Sequence, residues 1–356
     1  TPVTKWNYQI TKASEIPEIM AKAFYIARSG RPGPVLIDIT KDAQFETFDF
    51  IYKKCTGIRS YSPYPELSSA DLKQALKLID QAKNPMVVWG QGVILGNAEE
   101  EFKIFLEKSG IPAAWTILGL SALPTDHPSN RGMVGMHGNY APNLLTNQCD
   151  LLIAIGMRFD DRVTGNLETY AKQATVVHLE IDPAEISKNV KADFPVLGNC
   201  RASLTQLTSL VKHEEYADWK QLFADHMAIE IKEVINGDTL PTKEGLTMGE
   251  VIVGINKSTK GDAVIVTDVG QHQMIAWRYY NYKKTRTQVT SGGLGTMGFA
   301  LPAALGAQLH DYSRQVICVV GDGGIQMTIQ ELGTIMQTKA PVKIVLLNNI
   351  RMMHCM

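Results

Sequence analysis

The sequence predicts an α/β fold built from successive doubly wound domains whose sheets are mostly parallel, with a Rossmann-like domain in the centre. Short apolar runs of strand character alternate with helical patterns through most of the 356 residues, which is the pattern of parallel sheets covered by helices. Many of these runs end in glycine or in a side chain that carries oxygen. Because open α/β sheets bind ligands at the carboxyl ends of their strands, these endings also predict small-molecule sites.

The composition favours a globular protein that acts on small molecules. Hydrophobic residues make up 45% of the chain and charged residues 20%, and the net charge is −1, so neither nucleic acid nor an anionic membrane is expected as a partner. No apolar segment reaches the roughly 18 residues that a membrane helix needs. The 5 cysteines are scattered without a CxxC pair, which predicts neither a disulfide framework nor a zinc site and fits a reducing, cytoplasmic compartment.

Residues 1–47 are expected to be the end of a larger domain. Apolar residues recur at helical spacing over residues 15–28, with Ser14 as the expected cap, and a turn rich in Gly and Pro leads into a strand at residues 35–39. One helix and one strand cannot form a domain, so we interpret this region as a remnant. Residues 48–67 have no sustained periodicity and are the first predicted linker.

Two α/β domains are expected to follow, at residues 68–211 and 243–356, separated by a polar linker at residues 212–242 that is helical around residues 219–235. The first of them has its predicted strands at residues 86–89, 151–155 and 176–179, and its predicted helices near residues 71–82, 99–109 and 139–147. The second has its predicted strands at residues 263–267, 288–290, 315–320 and 342–347.

Hard oxygen ligands follow two strands of the last region. The run at residues 316–320 ends in the segment GDGG at residues 321–324, and the run at residues 344–347 ends in two asparagines, the second of which is Asn349. Asp322 and Asn349 can therefore share one Mg²⁺, while the glycines let the main chain approach a diphosphate. The alternative interpretation is a pair of tight turns after two buried strands.

Two more glycine clusters follow strands of the same region, at residues 268–273 and 291–298. Glycine lets main-chain amides reach phosphate oxygens, and the helix expected to begin near Phe299 can turn its positive end toward them. We therefore expect several loops to converge on one rim and to form a cofactor pocket.

The central region carries a second set of candidate loops. Residues 90–96 come close to the dinucleotide-binding fingerprint, although the last glycine is one position late. The segments at residues 135–138, 156–162 and 180–183 each follow a predicted strand or precede a helix. These endings predict a second ligand site on this domain.

Charged side chains in those loops suit a nucleotide. Glu180 can accept hydrogen bonds from a ribose, and Arg158 and Arg162 can pair with a diphosphate. A structural salt-bridge cluster that includes Asp160 is the alternative for the arginines. For His137, a hydrogen-bonded packing role and a ligand contact are both open.

Six segments in order resemble the catalytic subunit of acetolactate synthase, also called acetohydroxyacid synthase, which is a thiamine diphosphate enzyme family. They are SGRPGPVLIDITKD, GMHG, GMRFDDRVTGN, DVGQHQM, SGGLGTMGFALPAALGAQ, and GDGGIQM followed by LLNN. The resemblance covers the chain up to Asn349. It implies a pyrimidine-binding domain with residues 1–47 as its tail, an FAD-binding domain at residues 68–211, and a diphosphate-binding domain from residue 243 that is incomplete at its end. It also implies a homo-oligomer and a regulatory subunit.

The resemblance assigns site residues to three cofactors. Mg²⁺ would be held by Asp322, Asn349 and the backbone carbonyl of Arg351. Thiamine diphosphate would be held by Gly270, Gln271, His272, Gly295, Gly321, Gly323, Gly324 and Met297, with Met297 supporting its bent form or, as the alternative, serving as plain core. FAD would be held by Arg31, Gly90, Gly92, Thr116, Gly135, His137, Gly138, Gly156, Arg158, Asp160, Arg162, Glu180 and Ile181. Lys41 would lie near the substrate channel.

The implied reaction joins two 2-ketoacids: pyruvate loses CO₂, and the resulting carbanion attacks a second pyruvate or 2-ketobutyrate. FAD would have a structural role.

Three features depart from the family pattern. The family's activating glutamate belongs to a part of the pyrimidine domain to which no residue of this chain can be matched. No lid or acceptor-selecting tryptophan is recognised after Asn349, and Asn199 stands where an aspartate is usual. We therefore expect this chain alone to be inactive and to bind thiamine diphosphate poorly. The alternatives are a non-catalytic FAD-binding module, a glyoxylate carboligase and an oxalyl-CoA decarboxylase.

Overall fold

The computed structural model describes residues 2–243 and 245–348. Over that range the strands form sheets of two, six and four members, and the strands within each sheet run parallel. The expected α/β class is therefore confirmed. Of the predicted metal ligands, Asn349 and Arg351 lie outside the described residues.

The first region contains a strand that the sequence analysis missed. Its elements are β1 (Trp6–Ile10), α1 (Ile16–Arg28), β2 (Val35–Ile39) and α2 (Lys41–Phe45). Because β1 pairs in parallel with β2 along its whole length, the expectation of a single strand was wrong. The expected cap Ser14 was also wrong: Ser14 lies inside a short 3-10 turn, and Glu15 occupies the position before α1.

The central region is a six-stranded sheet between two layers of helices. Its elements are α3 (Ser69–Gln81), β3 (Pro85–Trp89), α4 (Gln91–Leu95), α5 (Glu99–Ser109), β4 (Ala113–Trp115), β5 (Asn130–Met133), α6 (Tyr140–Thr146), β6 (Leu151–Ile155), α7 (Asp161–Thr164), β7 (Thr175–Glu180), β8 (Phe194–Leu197) and α8 (Cys200–Leu210). The predicted strands correspond to β3, β6 and β7, which are five or six residues long and rich in apolar residues, whereas β4, β5 and β8 are three or four residues long and were not recognised.

The strand order of this sheet is β5-β4-β3-β6-β7-β8. From β3 the chain proceeds outward to β4 and β5, and then returns to the other side of β3 with β6. The order therefore reverses between β3 and β6, and the crevice at the carboxyl ends of these two strands is where open α/β sheets bind ligands. Both strands are buried along their full length, which holds the crevice on a rigid base.

A helical linker leads to the last sheet. The linker consists of α9 (Ala217–Glu230), a π-helical turn at Ile231–Ile235 and α10 (Asn236–Thr239). The last region contains α11 (Met248–Thr259), β9 (Val264–Thr267), α12 (Gln271–Tyr279), β10 (Gln288–Thr290), α13 (Ala300–His310), β11 (Val316–Gly321), α14 (Asp322–Met327), α15 (Glu331–Thr338) and β12 (Lys343–Leu347). Within the described ranges no helix has the length and apolar character needed to cross a bilayer.

The order of the last sheet is β10-β9-β11-β12, so the two strands that precede the predicted metal ligands are neighbours. Their register places Gly321 opposite Leu347. The segments that follow β11 and β12 therefore start side by side at one edge of the sheet, as the predicted metal site requires. The loops after β9 and β10 begin at the same edge because all four strands are parallel.

Candidate cofactor sites

Two loops cross in main-chain contact at the point where the strand order of the central sheet reverses. The amide of Gly90 donates to the carbonyl of Ile155 at 3.0 Å, and the amide of Gly92 donates to the carbonyl of Gly156 at 2.9 Å. A Cβ atom on Gly90 would lie 2.5 Å from the Gly156 oxygen, and one on Gly92 would lie 2.5 Å from the Gly156 Cα. Gly156 itself has a φ of +58°. This crossing therefore requires glycine on both loops.

A cavity of about 580 Å³ opens beside this crossing. Its volume is within the range of roughly 300–1,000 Å³ that is common for small-molecule and cofactor pockets. Of the residues that the resemblance assigns to FAD, those that line it are Arg31, Gly90, Gly92, Thr116, Gly156, Arg158, Asp160, Glu180 and Ile181. The structure thus brings residues that are far apart in the sequence to one cavity.

The other residues assigned to FAD lie on two segments that contact each other, the loop at residues 135–138 and α7, and do not line the cavity. They are Gly135, His137, Gly138 and Arg162. The amide of Met136 donates to the Arg162 carbonyl at 2.7 Å, and a Cβ atom on Gly135 would lie 2.6 Å from that oxygen. Burial, and then the charge of Arg162, hold the pKa of His137 below its ordinary value. A neutral imidazole is therefore favoured at this position.

Carboxylates organise the loops around the cavity. One oxygen of Glu180 accepts from the amides of Ile181 and Asp182, at 2.9 and 3.2 Å. Burial raises the pKa of the Glu180 carboxyl above its ordinary value. Asp160 caps α7 by accepting from the Arg162 amide at 3.0 Å, and its other oxygen lies 3.5 Å from Arg158 Nε. The contact between Arg158 and Asp160 is therefore the one that the structural salt-bridge interpretation predicts.

Arg31 connects the first region with the central one. Its Nη1 donates to Asp182 at 2.9 Å and to Glu185 at 2.6 Å. The Glu185 side chain is 6% exposed, so this ion pair is shielded on the carboxylate side. The contact holds Arg31 at the wall of the cavity.

Several cavity residues were not assigned to FAD from the sequence. They are Gln91, Asn97, Leu118, Gly198, Gly292, Gly293 and Leu294, among others, although residues 90–96 were recognised as a candidate nucleotide loop and residues 291–298 were expected at the diphosphate pocket. Gly198 follows β8, which was not recognised as a strand, so no strand-end signal was available for it. Asn199 also lines the cavity, and its side chain caps α8 by accepting from the amides of Arg201 and Ala202 at 2.9 and 3.4 Å. An aspartate could make the same cap, so the substitution preserves the local backbone.

In the last region, a buried carboxylate and a buried imidazole lie beneath the glycine loops. Asp268 is fully buried after β9, and its Oδ1 lies 2.5 Å from Nε2 of His272. Its Oδ2 accepts from the amide of Gly298 at 3.0 Å. The edge of the imidazole fits between Gly270 and Gly321, where added Cβ atoms would lie 2.8 and 2.9 Å from ring atoms. Asp268 was not among the predicted site residues, because its contact with Gly298 joins segments that are far apart in the sequence.

Met297 lies over the GDGG turn. A Cβ atom on Gly323 would be 3.3 Å from the terminal methyl of Met297, and this side chain is 43% exposed. Gly295 has a φ of +75°, which is a conformation that favours glycine. The structure therefore brings the loops after β9 and β10 and the start of α14 together, and Met297 is partly open rather than plain core.

Asp322 is the first residue of α14, directly after β11. Among residues 2–243 and 245–348, no group of three His, Cys, Asp or Glu side chains is arranged to hold a metal. The predicted Mg²⁺ site needs one carboxylate, and its other ligands, Asn349 and Arg351, lie outside the described residues. Lys41 begins α2, is exposed, and does not line the cavity.

Comparison with protein families agrees with this arrangement. Residues 72–207 match the family model of the thiamine pyrophosphate enzyme central domain, and residues 268–355 match that of the C-terminal thiamine pyrophosphate binding domain. This chain belongs to the thiamine pyrophosphate enzymes. The matched segments contain the crossing at Gly156 and the loops around Asp268, so the family assignment and the geometry concern the same parts of the chain.

Within this family the chain is similar to large subunits of acetolactate synthase. It is 40% identical to the isozyme 3 large subunit of Escherichia coli, over 98% of this chain and 61% of that protein. It is 41% identical to the large subunit of Lactococcus lactis, over 98% of this chain and 60% of that protein. The large subunit of Buchnera aphidicola from Schlechtendalia chinensis is also 41% identical, over 98% and 61%. The chain thus spans about 61% of the length of these relatives.

Proposed function

We propose that this chain is part of an acetolactate synthase catalytic subunit. The full protein would condense pyruvate, with loss of CO₂, with a second pyruvate or with 2-ketobutyrate, as in branched-chain amino-acid biosynthesis. The observation that carries the proposal is the similarity over 98% of the chain to proteins named acetolactate synthase. That similarity favours this activity over the glyoxylate carboligase, oxalyl-CoA decarboxylase and FAD-module alternatives.

The loops of the last sheet fit thiamine diphosphate. Main-chain amides around Gly270, Gly295 and Gly321 would face the diphosphate, because glycine at these positions leaves the amides uncovered. Met297, over the GDGG turn, would support the bent cofactor, and Gln271, His272, Gly323 and Gly324 would complete the binding site. When bound, thiamine diphosphate supplies the electron sink for decarboxylation.

The metal would be Mg²⁺. Asp322 offers the carboxylate oxygen that a hard cation prefers, and Asn349 with the carbonyl of Arg351 would supply further oxygens. The adjacency of β11 and β12 supports this assignment because it starts both ligand-bearing segments at one sheet edge. None of the described residues is assigned the role of activating the cofactor, so the proposal leaves that step to the rest of the protein.

The central cavity fits FAD. Its volume, its position at the reversal of strand order and its glycine crossing suit a dinucleotide whose pyrophosphate approaches the main chain. Arg158 and Arg162 would pair with phosphate, Glu180 with a ribose hydroxyl, and the loop of Gly135, His137 and Gly138 would close one side. The condensation has no net oxidation or reduction, so the proposed role of FAD is structural.

Relatives named as large subunits support a regulatory small subunit as partner, and we propose a homo-oligomer for the catalytic part. Residues 1–47, 68–211 and 243–356 remain the proposed domains, joined by linkers at residues 48–67 and 212–242. The free cysteines of the described range suit a reducing compartment such as the cytoplasm. Lys41 is proposed to lie near the substrate channel.

The proposal is tested on the full-length protein that contains this chain. Incubation with pyruvate, Mg²⁺, thiamine diphosphate and FAD should yield acetolactate, and Asp322→Ala should abolish it. Asp262→Asn, in an exposed ion pair with Lys284 of the same region, is the matched control and should retain activity. Turnover of glyoxylate or oxalyl-CoA without acetolactate from pyruvate would contradict the proposal.

A further inference from the structure

We propose that Asp268 is a positioning residue that joins the loops of the diphosphate site into one unit and fixes the orientation of His272. The inference rests on the proposed function, since the site it organises is the proposed thiamine diphosphate site. Asp268 does not itself face the space above the loops: it is fully buried at the end of β9. Its role must therefore be exerted through the groups that it contacts.

Each oxygen of Asp268 contacts a different segment. Oδ1 lies 2.5 Å from Nε2 of His272, in the first turn of α12, and Oδ2 accepts from the Gly298 amide at 3.0 Å, on the loop after β10. The first turn of α14 packs against the same carboxylate, because a Cβ atom on Gly324 would lie 1.9 Å from Oδ2. One side chain therefore contacts the first turn of α12, the loop after β10 and the first turn of α14.

The contact also determines which nitrogen of His272 carries a proton. An ionised carboxylate can only accept hydrogen bonds, so Nε2 must be the donor. The opposite edge of the ring, with Nδ1, is then fixed between Gly270 and Gly321. These two glycines immediately precede α12 and α14, whose first amides would face the diphosphate, so the ring sets the separation of the two helix starts.

The burial of the Asp268 carboxylate agrees with a specific positioning role rather than with general packing. A buried charge is costly unless it is paired and hydrogen-bonded, and here an imidazole and a main-chain amide satisfy the carboxylate. The carboxylate also raises the pKa of the nearby buried Cys318 thiol, after the larger effect of burial, to about 12. Residues that orient binding groups from behind typically change affinity by about 10–100-fold when they are replaced.

The first test measures cofactor binding to the full-length protein. Asp268→Asn keeps the shape and removes the charge, and we expect the dissociation constant of Mg²⁺-thiamine diphosphate to rise about 10–100-fold. The rate at saturating cofactor should change much less, because Asp268 touches neither substrate nor cofactor. Asp262→Asn, an exposed aspartate of the same region, should leave the dissociation constant unchanged. A lower melting temperature with unchanged cofactor affinity would overturn the proposal, since that is the result of a merely structural role.

The second test needs no cofactor and uses the full-length protein. In ¹⁵N-histidine-labelled protein, the resonances of His272, identified by their loss in His272→Gln, should show the tautomer protonated at Nε2. Asp268→Asn should shift them. Unchanged His272 resonances together with unchanged cofactor affinity would refute the role of Asp268.

The two proposals fail differently. If the full-length protein binds thiamine diphosphate but makes no acetolactate, the proposed function fails while the role of Asp268 is still measured by the dissociation constant. If no thiamine diphosphate binds to any variant, the proposed site is wrong, and the role of Asp268 at that site is refuted with it. In that case the His272 resonances still show whether Asp268 orients the imidazole.

Discussion

The two candidate cofactor sites achieve close approach of their loops in different ways. In the central region, Gly92 and Gly156 meet main chain to main chain, and the crossing is held by backbone hydrogen bonds. In the last region, glycines make room for side chains, because His272 lies against Gly270 and Gly321 and the buried Asp268 lies against Gly324. The comparison teaches that glycine clusters of similar sequence can serve opposite purposes. One cluster permits contact between loops, and the other accommodates a polar support between them.

The largest effect is expected when the main-chain crossing is broken. Gly156→Ala introduces a side chain at a φ of +58°, where its Cβ atom would lie 2.6 Å from the Gly92 Cα. Backbone strain and the clash together should cost about 3 kcal/mol or more and remove flavin binding. The melting temperature and the flavin absorbance of the purified protein measure both effects.

Gly165→Ala is the matched control, because Gly165 also has a φ of +58° but a Cβ atom there would meet no described atom within 4 Å. Its ψ of −130° lies outside the left-handed helical region, so the variant should lose only a conformational term of about 1–3 kcal/mol. Equal losses in the two variants would mean that the crossing contributes nothing beyond strain.

A somewhat smaller effect is expected where the two regions are tied together. Glu230, at the end of α9, accepts from the amide of Tyr140 at 3.0 Å and forms an ion pair with Arg278. Its side chain is 3% exposed, and removing one partner of a buried pair costs about 3–5 kcal/mol, of which the amide in Glu230→Gln recovers part. We expect a loss of about 2–3 kcal/mol in a denaturant titration.

Glu233→Gln on the same linker is the control for that prediction. Its pair with Lys232 is exposed, with 61% of the Glu233 side chain accessible, so the loss should stay below about 0.5 kcal/mol. A Glu230→Gln protein as stable as the control would show that the regions are held together by apolar packing alone.

The central region should also differ in its response to acid. His178 is fully buried on β7, its Nε2 donates to the Met157 carbonyl at 2.8 Å, and burial lowers its pKa below the usual 6.5. Because the unfolded state binds this proton more tightly, the contribution of His178 to stability is complete above about pH 6.5 and is lost as the pH falls toward the lower pKa of the folded state.

Denaturant titrations between pH 7.5 and pH 5 test this expectation. His178→Gln should show a smaller loss of stability over that interval than the unmodified protein. His310→Gln, at the exposed last residue of α13, is the control and should leave the pH dependence largely as it was. An identical pH dependence in His178→Gln would contradict the assignment.

The smallest effect is expected at the cap of α8. Asn199→Ala removes the acceptor for the Arg201 amide and should cost about 1 kcal/mol, whereas Asn199→Asp should stay within a few tenths. Flavin affinity should follow the same order, since Asn199 lines the cavity. A larger effect of the aspartate than of the alanine would show that the ligand, not the helix cap, determines which residue is suitable here.

The sequence predicted those features that depend on local pattern. The fully buried strands β3, β6 and β11 were recognised because a central parallel strand is a continuous apolar run. Strand β1 was overlooked although its residues alternate between partly buried and exposed positions, which is the pattern of a half-buried strand. Strand β4 was missed because three residues are too few to show a period.

The candidate sites follow the same division. Gly90, Gly92 and Gly156 were recognisable because glycine after a strand is a local signal. The support formed by Asp268, and the contribution of Leu294 to the wall of the central cavity, depend on contacts between segments that are far apart in the chain. No spacing rule within one segment reports such contacts.

The most direct measurement is a crystal structure of the full-length protein with thiamine diphosphate and Mn²⁺ in place of Mg²⁺. We predict an anomalous peak for Mn²⁺ at the shared edge of β11 and β12. It should lie within about 2.0–2.3 Å of a side-chain oxygen of Asp322 and of a side-chain oxygen of Asn349. A peak bound elsewhere, or side chains of Asp322 and Asn349 too far apart to share an ion, would contradict the account.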